Sequence, residues 1–370
     1  MKRILIAPNS FKECLSSVDA ADYFQKYLSS EGYTIITRPI SDGGDGFLNI
    51  CSKYYDLKIL DFEVCTTFND KNSFIIPVGY SPELKSVFIE SAEVIGLSKI
   101  PINKRSPSNL SSIGLGELLN KIKLRFNKNN LEKIIIGIGG TGTIDMGIGI
   151  LSALGLRLLD KSGSELVPIP KNFIYTKRII YPSDTYPFTI ELIVDVNNPL
   201  TGENGGIKVY GKQKGASDQE LIEIENGIKN LLGIFEKDKV INKNSFLSGA
   251  GGGIPAGLSL LSQTKVISSQ QFIMDNLNLR QYANIDYLIT GEGKFDSQSY
   301  FTKGTGIVIN QFRNVEKIFL CCGIIEKSLI FPSNLYPIQL LDYFKNIEES
   351  MNNIEKGIEF ACSRIRQIIC

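Results

Sequence analysis

The chain has 370 residues, 43% of them hydrophobic and 21% charged, which is the composition of a globular protein large enough for two domains. Its formal net charge of +1 provides no strong field for nucleic acid or for an anionic membrane surface, so we expect neither as a partner. The sequence contains no histidine, which excludes Ser-His-Asp and Cys-His catalysis and histidine-based metal sites. Catalysis would have to rest on carboxylates, amines, hydroxyls, thiols, backbone amides or oxygen-bound metal ions, a set that suits phosphoryl transfer.

The cysteines and the apolar runs bear on the cellular compartment. Seven cysteines, an odd number without a CxxC pair, indicate neither a disulfide framework nor a zinc ribbon. The apolar stretch at the start is too short for a signal peptide, and no run approaches the roughly 18 residues that a membrane helix needs. These features predict a cytoplasmic protein.

Short β-branched runs, each followed by a glycine-rich or polar turn, alternate with helical patterns. The predicted strands are 3–7, 34–38, 134–138, 190–194, 287–289 and 317–322. Helical patterns occupy 18–30 and 114–125, and apolar residues at alternating spacings of three and four predict one amphipathic helix over 347–369. Such strand–turn–helix units predict an α/β fold with a mostly parallel sheet and with ligands at the carboxyl ends of its strands.

Three of the turns carry groups suited to binding. The turn 41–46, SDGGDG, sets two acids among glycines and fits Mg²⁺ or a substrate hydroxyl about as well as it fits a plain turn. The turn 137–143, GIGGTGT, offers backbone N–H groups to a phosphate or carboxylate, with a structural turn as the alternative. It lacks the spacing and the lysine of a P-loop. In 287–298, a buried strand delivers Glu292 and Asp296, and carboxylates there favour a site over a solvated loop.

Two further segments are ambiguous by themselves. The glycines of 249–257, GAGGGIPAG, indicate a close backbone approach either to a ligand or to a neighbouring helix. The segment 209–216, VYGKQKGA, places two lysines on what reads as a surface loop.

Taken in chain order, these segments resemble the type I glycerate kinase family over essentially the whole chain. The similar blocks, family pattern first, are APDSFKGSLS and APNSFKECLS at 7–16, PVADGGEG and PISDGGDG at 39–46, the S-x-G-x-GELI block and SIGLGELL at 112–119, GLGGSATNDGG and GIGGTGTIDMG at 137–147, DVDNPLTG and DVNNPLTG at 195–202, VFGPQKGA and VYGKQKGA at 209–216, and GEGRIDSQT and GEGKFDSQS at 291–299.

This resemblance implies ATP- and Mg²⁺-dependent phosphorylation of a hydroxyl of D-glycerate, usually at carbon 2, to give 2-phosphoglycerate. The partners would be a small hydroxy acid and a nucleotide, and a homodimer is left open. The resemblance also implies two α/β domains with the active site in the cleft between them. One would be a Rossmann- or flavodoxin-like domain with a mostly parallel sheet, discontinuous over 1–60 and 255–370, and the other an inserted domain over 61–254.

Roles for particular residues follow from the same resemblance. The catalytic residues would be Lys12, Asp195, Asp296 and Lys303, with Asp195 and Asp296 as alternatives for the general base. The substrate would contact Ser10, Phe11, Asp42, Gly43, Gly44 and Arg105. The nucleotide would contact Gly139, Gly140, Thr141, Asp145, Gln213, Lys214 and Gly215. Lys214 and Lys303 would neutralise charge on the transferred phosphoryl group. Mg²⁺ would be held by Asp195, Glu292 and Asp296, with Asp42 as an alternative to Glu292.

The chain departs from the family pattern at several positions. Asn9 and Asn197 replace acids, Ile144 replaces an asparagine, and Met146 replaces a glycine. A carboxylate lost from a cation-dependent site can cost metal affinity or the base itself. A catalytically impaired member, kept as a ligand- or partner-binding protein, is therefore the second hypothesis. A dinucleotide-binding enzyme is the third, but GIGGTG at 137–142 matches that fingerprint only by letter count.

Overall fold

The computed structural model describes residues 1–29, 32–68, 72–241 and 247–369. The chain folds into two compact units, one formed by Met1–Tyr55 with Ser268–Cys370 and the other by Asp56–Ile267. We call the first the discontinuous unit and the second the central unit. The boundaries predicted from the sequence are 60/61 and 254/255, whereas the chain passes between the two units at 55/56 and 267/268.

Strands and helices alternate through most of the chain. The strands are β1 (Lys2–Ile6), β2 (Tyr33–Thr37), β3 (Lys58–Cys65), β4 (Ser73–Ser81), β5 (Ser86–Glu90), β6 (Lys133–Gly137), β7 (Arg157–Leu159), β8 (Glu165–Leu166), β9 (Arg178–Ile180), β10 (Thr189–Val194), β11 (Thr264–Ser268), β12 (Tyr287–Thr290), β13 (Lys294–Phe295), β14 (Lys317–Cys322), β15 (Ile324–Ile325) and β16 (Leu335–Gln339). The helices are α1 (Ser17–Leu28), α2 (Phe47–Tyr54), α3 (Ser91–Ile95), α4 (Ile113–Arg125), α5 (Ile148–Ala153), α6 (Pro170–Phe173), α7 (Gly206–Gly211), α8 (Asp218–Lys237), α9 (Ile254–Leu258), α10 (Ser269–Gln271), α11 (Ser297–Thr302), α12 (Gly304–Gln311), α13 (Ile347–Asn352) and α14 (Ile354–Ile369).

The discontinuous unit is built on a five-stranded parallel sheet in the order β16-β14-β12-β1-β2. Its central strands are apolar runs because both faces of the sheet are covered, and Leu5 and Leu288 are fully buried. The strand order reverses between β1 and β12. In sheets of this kind, ligands bind in the crevice outside the carboxyl ends of the two strands at the reversal. The prediction of an α/β fold with a mostly parallel sheet is confirmed.

The first and last helices of the chain, both in this unit, differ from the sequence prediction. The helix predicted at 18–30 is α1, whose N-cap Ser16 accepts a hydrogen bond from the Asp19 N–H, and residue 30 lies outside the described residues. The single helix predicted over 347–369 is wrong, because it is broken at Asn353 into α13 and α14. Only α14 packs its apolar stripe into the core, whereas Ile347 and Met351 of α13 are exposed.

The central unit contains a six-stranded mixed sheet in the order β11-β10-β6-β5-β4-β3. Strands β10, β6 and β5 run parallel, β4 pairs antiparallel with β5, and the edge strand β3 pairs antiparallel with β4. Consequently the carboxyl ends of β10, β6 and β5 lie side by side, and these ends carry Asp195, the 137–143 turn and Glu90. A separate three-stranded antiparallel sheet has the order β8-β7-β9.

Two further findings concern the chain as a whole. Across residues 1–29, 32–68, 72–241 and 247–369, no helix has the length and apolar character needed to cross a bilayer. The cysteines Cys14, Cys51, Cys65, Cys321, Cys322 and Cys362 are free thiols, and Cys370 lies outside the described residues.

Candidate active site

In the discontinuous unit, the carboxyl ends of β1 and β12 are held together beyond the last paired residues. The Ala7 N–H donates to the Ile289 carbonyl and the Asn9 N–H to the Gly291 carbonyl, both at 2.8 Å. The loops that follow these strands therefore leave the sheet side by side at the reversal of strand order. They carry most of the predicted catalytic groups of this unit.

Glu292 is the most unusual group in these loops. Its side chain is 6% exposed, and among the described residues its Oε1 atom has no hydrogen-bond partner. Burial, and then the nearby charge of Asp42, raises the pKa of Glu292 to about 7 against the opposing charges of Lys303 and Lys12. A buried carboxylate oxygen without a donor is costly, and such atoms are candidates for ligand contacts.

Asp42 approaches Glu292 from the loop after β2. One of its carboxylate oxygens accepts hydrogen bonds from the Asn9 Nδ2 amide at 3.1 Å and from the Gly304 N–H at 3.4 Å. Asn9 is itself buried, and its Oδ1 accepts from the Ser10 N–H at 2.9 Å. The side-chain amide of Asn9 thus joins the loop after β1 to Asp42. An aspartate at position 9 would instead repel the Asp42 carboxylate.

Asp296 lies at the N-cap of α11 and accepts the Ser299 N–H at 2.9 Å. Burial acts to raise its pKa, but the hydrogen bonds from Ser299 and the charge of Lys303, 4.0 Å away, outweigh burial and lower the pKa below the ordinary value. Asp296 is therefore ionised under physiological conditions and remains partly accessible.

The other predicted substrate residues of this unit have mixed surroundings. Gly43 and Gly44 are buried in a turn closed by Ser41 and Asp42. Phe11 is 1% exposed and belongs to the hydrophobic core, so its ring anchors the loop that presents Lys12.

In the central unit, Lys214 lies beneath the glycine turn that follows β6. Its Nζ donates to the Thr141 hydroxyl at 3.1 Å and to the Thr143 carbonyl at 3.0 Å. Burial lowers the pKa of Lys214 to about 8, although the charges of Asp145 and Asp195 act to raise it. A buried ammonium beside a glycine turn is suited to binding a phosphate group.

Asp145, predicted to contact the nucleotide, has its carboxylate occupied by donors from inside the unit. Its carboxylate is fully buried and accepts the Ser112 N–H and hydroxyl, both at 2.7 Å, and the N–H groups of Gly147 and Gly149, both at 3.1 Å. Burial raises its pKa against these four hydrogen bonds. The carboxylate therefore joins the glycine turn to the start of α4 from inside the unit.

The glycine-rich segment 249–257 packs against the backbone of the same turn. A Cβ atom at Gly252 would lie 2.1 Å from the Thr143 carbonyl oxygen, and one at Gly257 would lie 2.1 Å from the Met146 carbonyl oxygen. The Met146 N–H also donates to the Gly252 carbonyl at 3.0 Å. Of the two alternatives left open by the sequence, close packing accounts for these glycines.

Arg105 supports the turn at the end of 209–216. Its guanidinium donates to the carbonyls of Ile100 and Leu97, and a Cβ atom at Gly215, where φ is +96°, would lie 2.7 Å from the Arg105 Cβ. Gln213, Gly140 and Gly215 are exposed, while Thr141 is buried.

Sequence reasoning missed two polar residues at the strand ends of the central unit. Glu90 is 7% exposed at the carboxyl end of β5, level with Gly137 of β6. An acid that closes the otherwise apolar run 87–90 is a signal that could have found it. Tyr210 donates its hydroxyl to Asn198 in the loop after β10, and no pattern in the sequence marks it.

The donor set fits a divalent cation. Asp42 and Glu292 supply only oxygen atoms, and Mg²⁺ in kinase sites is held by one or two carboxylates together with substrate phosphates. Over the described ranges, no three acidic or thiol side chains gather closely enough to hold a metal. A cation here would therefore rest on this pair and on oxygens of the substrates. Such an ion would bind the Oε1 atom of Glu292, which has no hydrogen-bond partner within the ranges that the structure describes.

Comparisons with known proteins agree on one family. The model of the glycerate kinase family matches residues 4–370. A glycerate kinase of Haemophilus influenzae is 34% identical over 81% of this chain and 80% of its own, and a glycerate 2-kinase of Escherichia coli is 32% identical over 81% and 79%. A glycerate kinase of Neisseria meningitidis is 27% identical over 99% and 98%. A crystal structure from Salmonella typhimurium LT2, a candidate glycerate kinase 2, matches with a TM-score of 0.76 at 26% identity, over 99% of this chain and 98% of that chain.

Proposed function

Because this chain belongs to the glycerate kinase family, we propose that it transfers the terminal phosphoryl group of ATP to a hydroxyl of D-glycerate, giving 2-phosphoglycerate. The observation that carries this proposal is the half-buried Asp42 beside the buried Glu292 at the reversal of strand order, where one Glu292 carboxylate oxygen lacks a donor among the described residues. A cation that also binds the oxygens of a phosphorylated ligand would satisfy that atom. The free thiols suit a reducing compartment, and we keep the cytoplasm as the proposed location.

The charged residues divide the work of the reaction. Lys12 and Lys303 attract the carboxylate of the acceptor and the transferred phosphoryl group, while Asp296 accepts the proton of the attacking hydroxyl. The hydroxyl oxygen forms its bond to the terminal phosphorus as the bond to the ADP oxygen breaks, and ADP leaves. Lys214 and the N–H groups of the glycine turn bind the nucleotide phosphates. Mg²⁺, for which Asp42 and Glu292 are the proposed ligands, would offset phosphate charge. Since the transition state is loose, a carboxylate of low pKa is sufficient as the base.

The alternative of an impaired family member rested on the departures from the pattern. The Asn9 amide donates to Asp42, and Ile144 and Met146 are each 1% exposed within the core of the central unit. These replacements are accommodated without an unpaired charge, which favours an active enzyme. Asn197 is exposed.

The test is ADP release by the purified chain with ATP, Mg²⁺ and D-glycerate, against a panel of other hydroxy acids. We expect glycerate-dependent turnover at roughly 1–100 s⁻¹, with NMR of the product locating the phosphate on carbon 2. Absence of turnover across the panel, with ATP still raising the melting temperature, would favour the impaired member instead.

A further inference from the structure

Tyr210, near the end of α7, makes a hydrogen bond that reaches the loop following β10. Its hydroxyl donates to the Oδ1 atom of Asn198 at 2.8 Å. The Nδ2 atom of Asn198 in turn donates to the Asn204 carbonyl at 2.8 Å, so both ends of this amide are occupied and its orientation is determined. The backbone carbonyl of Asn198 accepts the Gly249 N–H at 2.9 Å.

These contacts restrain the short segment that begins with Asp195. Asp195 follows β10 directly and lies three residues before Asn198, so fixing Asn198 limits the positions open to the Asp195 carboxylate. Asp195 follows β10 and Lys214 contacts the turn after the neighbouring strand β6, so both lie at adjacent strand ends. The charge of Asp195 acts to raise the pKa of both Tyr210 and Lys214. The Tyr210 phenol is half-buried, and its burial raises its pKa more than the charge of Asp195 does.

One segment of chain thus touches the loops after two neighbouring parallel strands. Tyr210 contacts the loop after β10, and Lys214 contacts the turn after β6 through Thr141 and Thr143. Strands β10 and β6 are adjacent in the sheet. The relative placement of Asp195 and Lys214 therefore depends on how residues 210–214 join these two loops.

We propose that Tyr210 is a positioning residue which, through Asn198, holds Asp195 in place beside Lys214 for the binding and transfer of phosphate. This inference rests on the proposed kinase function. It adds that the hydroxyl of Tyr210, which does not itself react, sets the relative position of Asp195 and Lys214. Removing that hydroxyl should weaken nucleotide binding and turnover without unfolding the unit, because the ring and its packing are retained.

The experiment is a double-mutant cycle with Tyr210→Phe and Asp195→Asn, read by the Kd of ATP in calorimetry and by kcat and KM in the ADP-release assay. Tyr181→Phe is the matched control, because its hydroxyl also donates a 2.8 Å hydrogen bond, to Asp238 at the surface. We expect Tyr210→Phe to reduce kcat/KM for ATP by about tenfold and to raise the Kd of ATP several-fold. In the Asp195→Asn background the same change should alter both by less than twofold.

Each outcome bears on the inference separately from the proposed function. Equal effects of Tyr210→Phe with and without Asp195, or a loss of melting temperature that accounts for the change, would overturn it. If the wild type binds ATP but shows no turnover, the kinase proposal fails while the Kd cycle still decides the role of Tyr210. If the wild type does not bind ATP, both fail. Tyr181→Phe should behave as wild type throughout.

Discussion

Lys214 and Glu292 are ionisable side chains whose charged forms the folded protein disfavours. Burial lowers the pKa of Lys214 to about 8 and is the main cause that raises the pKa of Glu292 to about 7. Each shift measures a free-energy difference between the charged and neutral forms in the fold. Buried groups with such shifted pKa values are typical of ligand-binding sites. The free-energy cost of burying each charge can be tested by substitution.

Replacing Lys214 by methionine should increase stability and abolish nucleotide binding. Between pH 8 and 10.5 the unfolded state binds more protons at Lys214 than the folded state does. The destabilisation of the fold by the buried charge is therefore full below pH 8 and decreases as the pH rises to 10.5. The shift corresponds to about 3 kcal/mol. Lost hydrogen bonds to Thr141 and Thr143 offset part of it, so we expect a gain of about 1–2 kcal/mol at pH 7. Urea unfolding at pH 7 and 9.5 measures this, and a loss of stability at pH 7 would contradict it.

Glu292→Gln should show the opposite dependence on pH. The folded state binds more protons than the unfolded state between pH 4.5 and about 7, so wild-type stability falls as pH rises through that window. In the absence of metal and nucleotide, we expect the glutamine variant to be about 1–2 kcal/mol more stable than wild type at pH 8, and this gain to vanish near pH 4.5. Glu223→Gln, at an exposed position, is the control and should show no such gain.

Asp296→Asn separates the charge of this residue from its structural contact. Asparagine also caps helices, so the hydrogen bond from the Ser299 N–H is kept. We expect kcat to fall by about 10²–10⁴-fold because the proton acceptor is lost, with only a small decrease in melting temperature from the lost ion pair with Lys303. Asp296→Ala should lower turnover similarly and also cost about 1 kcal/mol of stability through the lost cap. If kcat of the asparagine variant stays near normal, the base is assigned to Asp195 instead.

At the scale of elements, the loop between β1 and α1 contains local strain beside a proposed catalytic group. The N–H and carbonyl of Phe11 pair with the carbonyl and N–H of Leu15 at 2.9 Å, which closes the loop on itself. Glu13 then adopts a φ of +64°, a conformation that favours glycine. The loop therefore presents Lys12 from a backbone that is held tightly at both ends.

Glu13→Gly should stabilise the protein by about 0.5–1 kcal/mol, because relief of the left-handed strain exceeds the added entropy of the unfolded chain. Chemical denaturation measures this difference. Lys239→Gly, at a φ of +60° after α8, is a matched control far along the chain from Lys12. Both changes should stabilise. Destabilisation at position 13 alone would mean that the Glu13 side chain contributes contacts of its own.

For the whole molecule, each unit has its own hydrophobic core. One cluster is drawn from residues between Phe62 and Leu261, and another from the segments 4–28 and 287–365. The central unit is also continuous in sequence, which favours independent folding. We expect a 56–267 fragment to unfold cooperatively on heating, as monitored by circular dichroism. We also expect it to bind ATP through Lys214 and the glycine turn. A fragment without a cooperative transition would show that its core is insufficient alone.

Much of the fold could be read from short stretches of sequence. The continuous β-branched runs at 3–7, 134–138 and 190–194 are strands of parallel sheets, because strands covered on both faces need apolar side chains at every position. The prediction of a single helix over 347–369 was wrong for a related reason. Periodicity predicts which residues can share a helical face, but Ile347 and Met351 have no core opposite them, and Asn353 ends the first helix.

The sequence by itself determined the fold class, the absence of histidine chemistry and the turns that carry the candidate site, since these depend on residue type and on backbone preferences over a few residues. Only the tertiary structure decided how each polar residue in those turns is used. Glu292 has a buried oxygen without a hydrogen-bond partner in the described part of the chain, whereas Asp145 has its carboxylate occupied by four internal donors. The two are both acids in glycine-rich turns after strands. What separates them is burial and the donors brought near by distant parts of the chain, and those determine pKa and availability to a ligand.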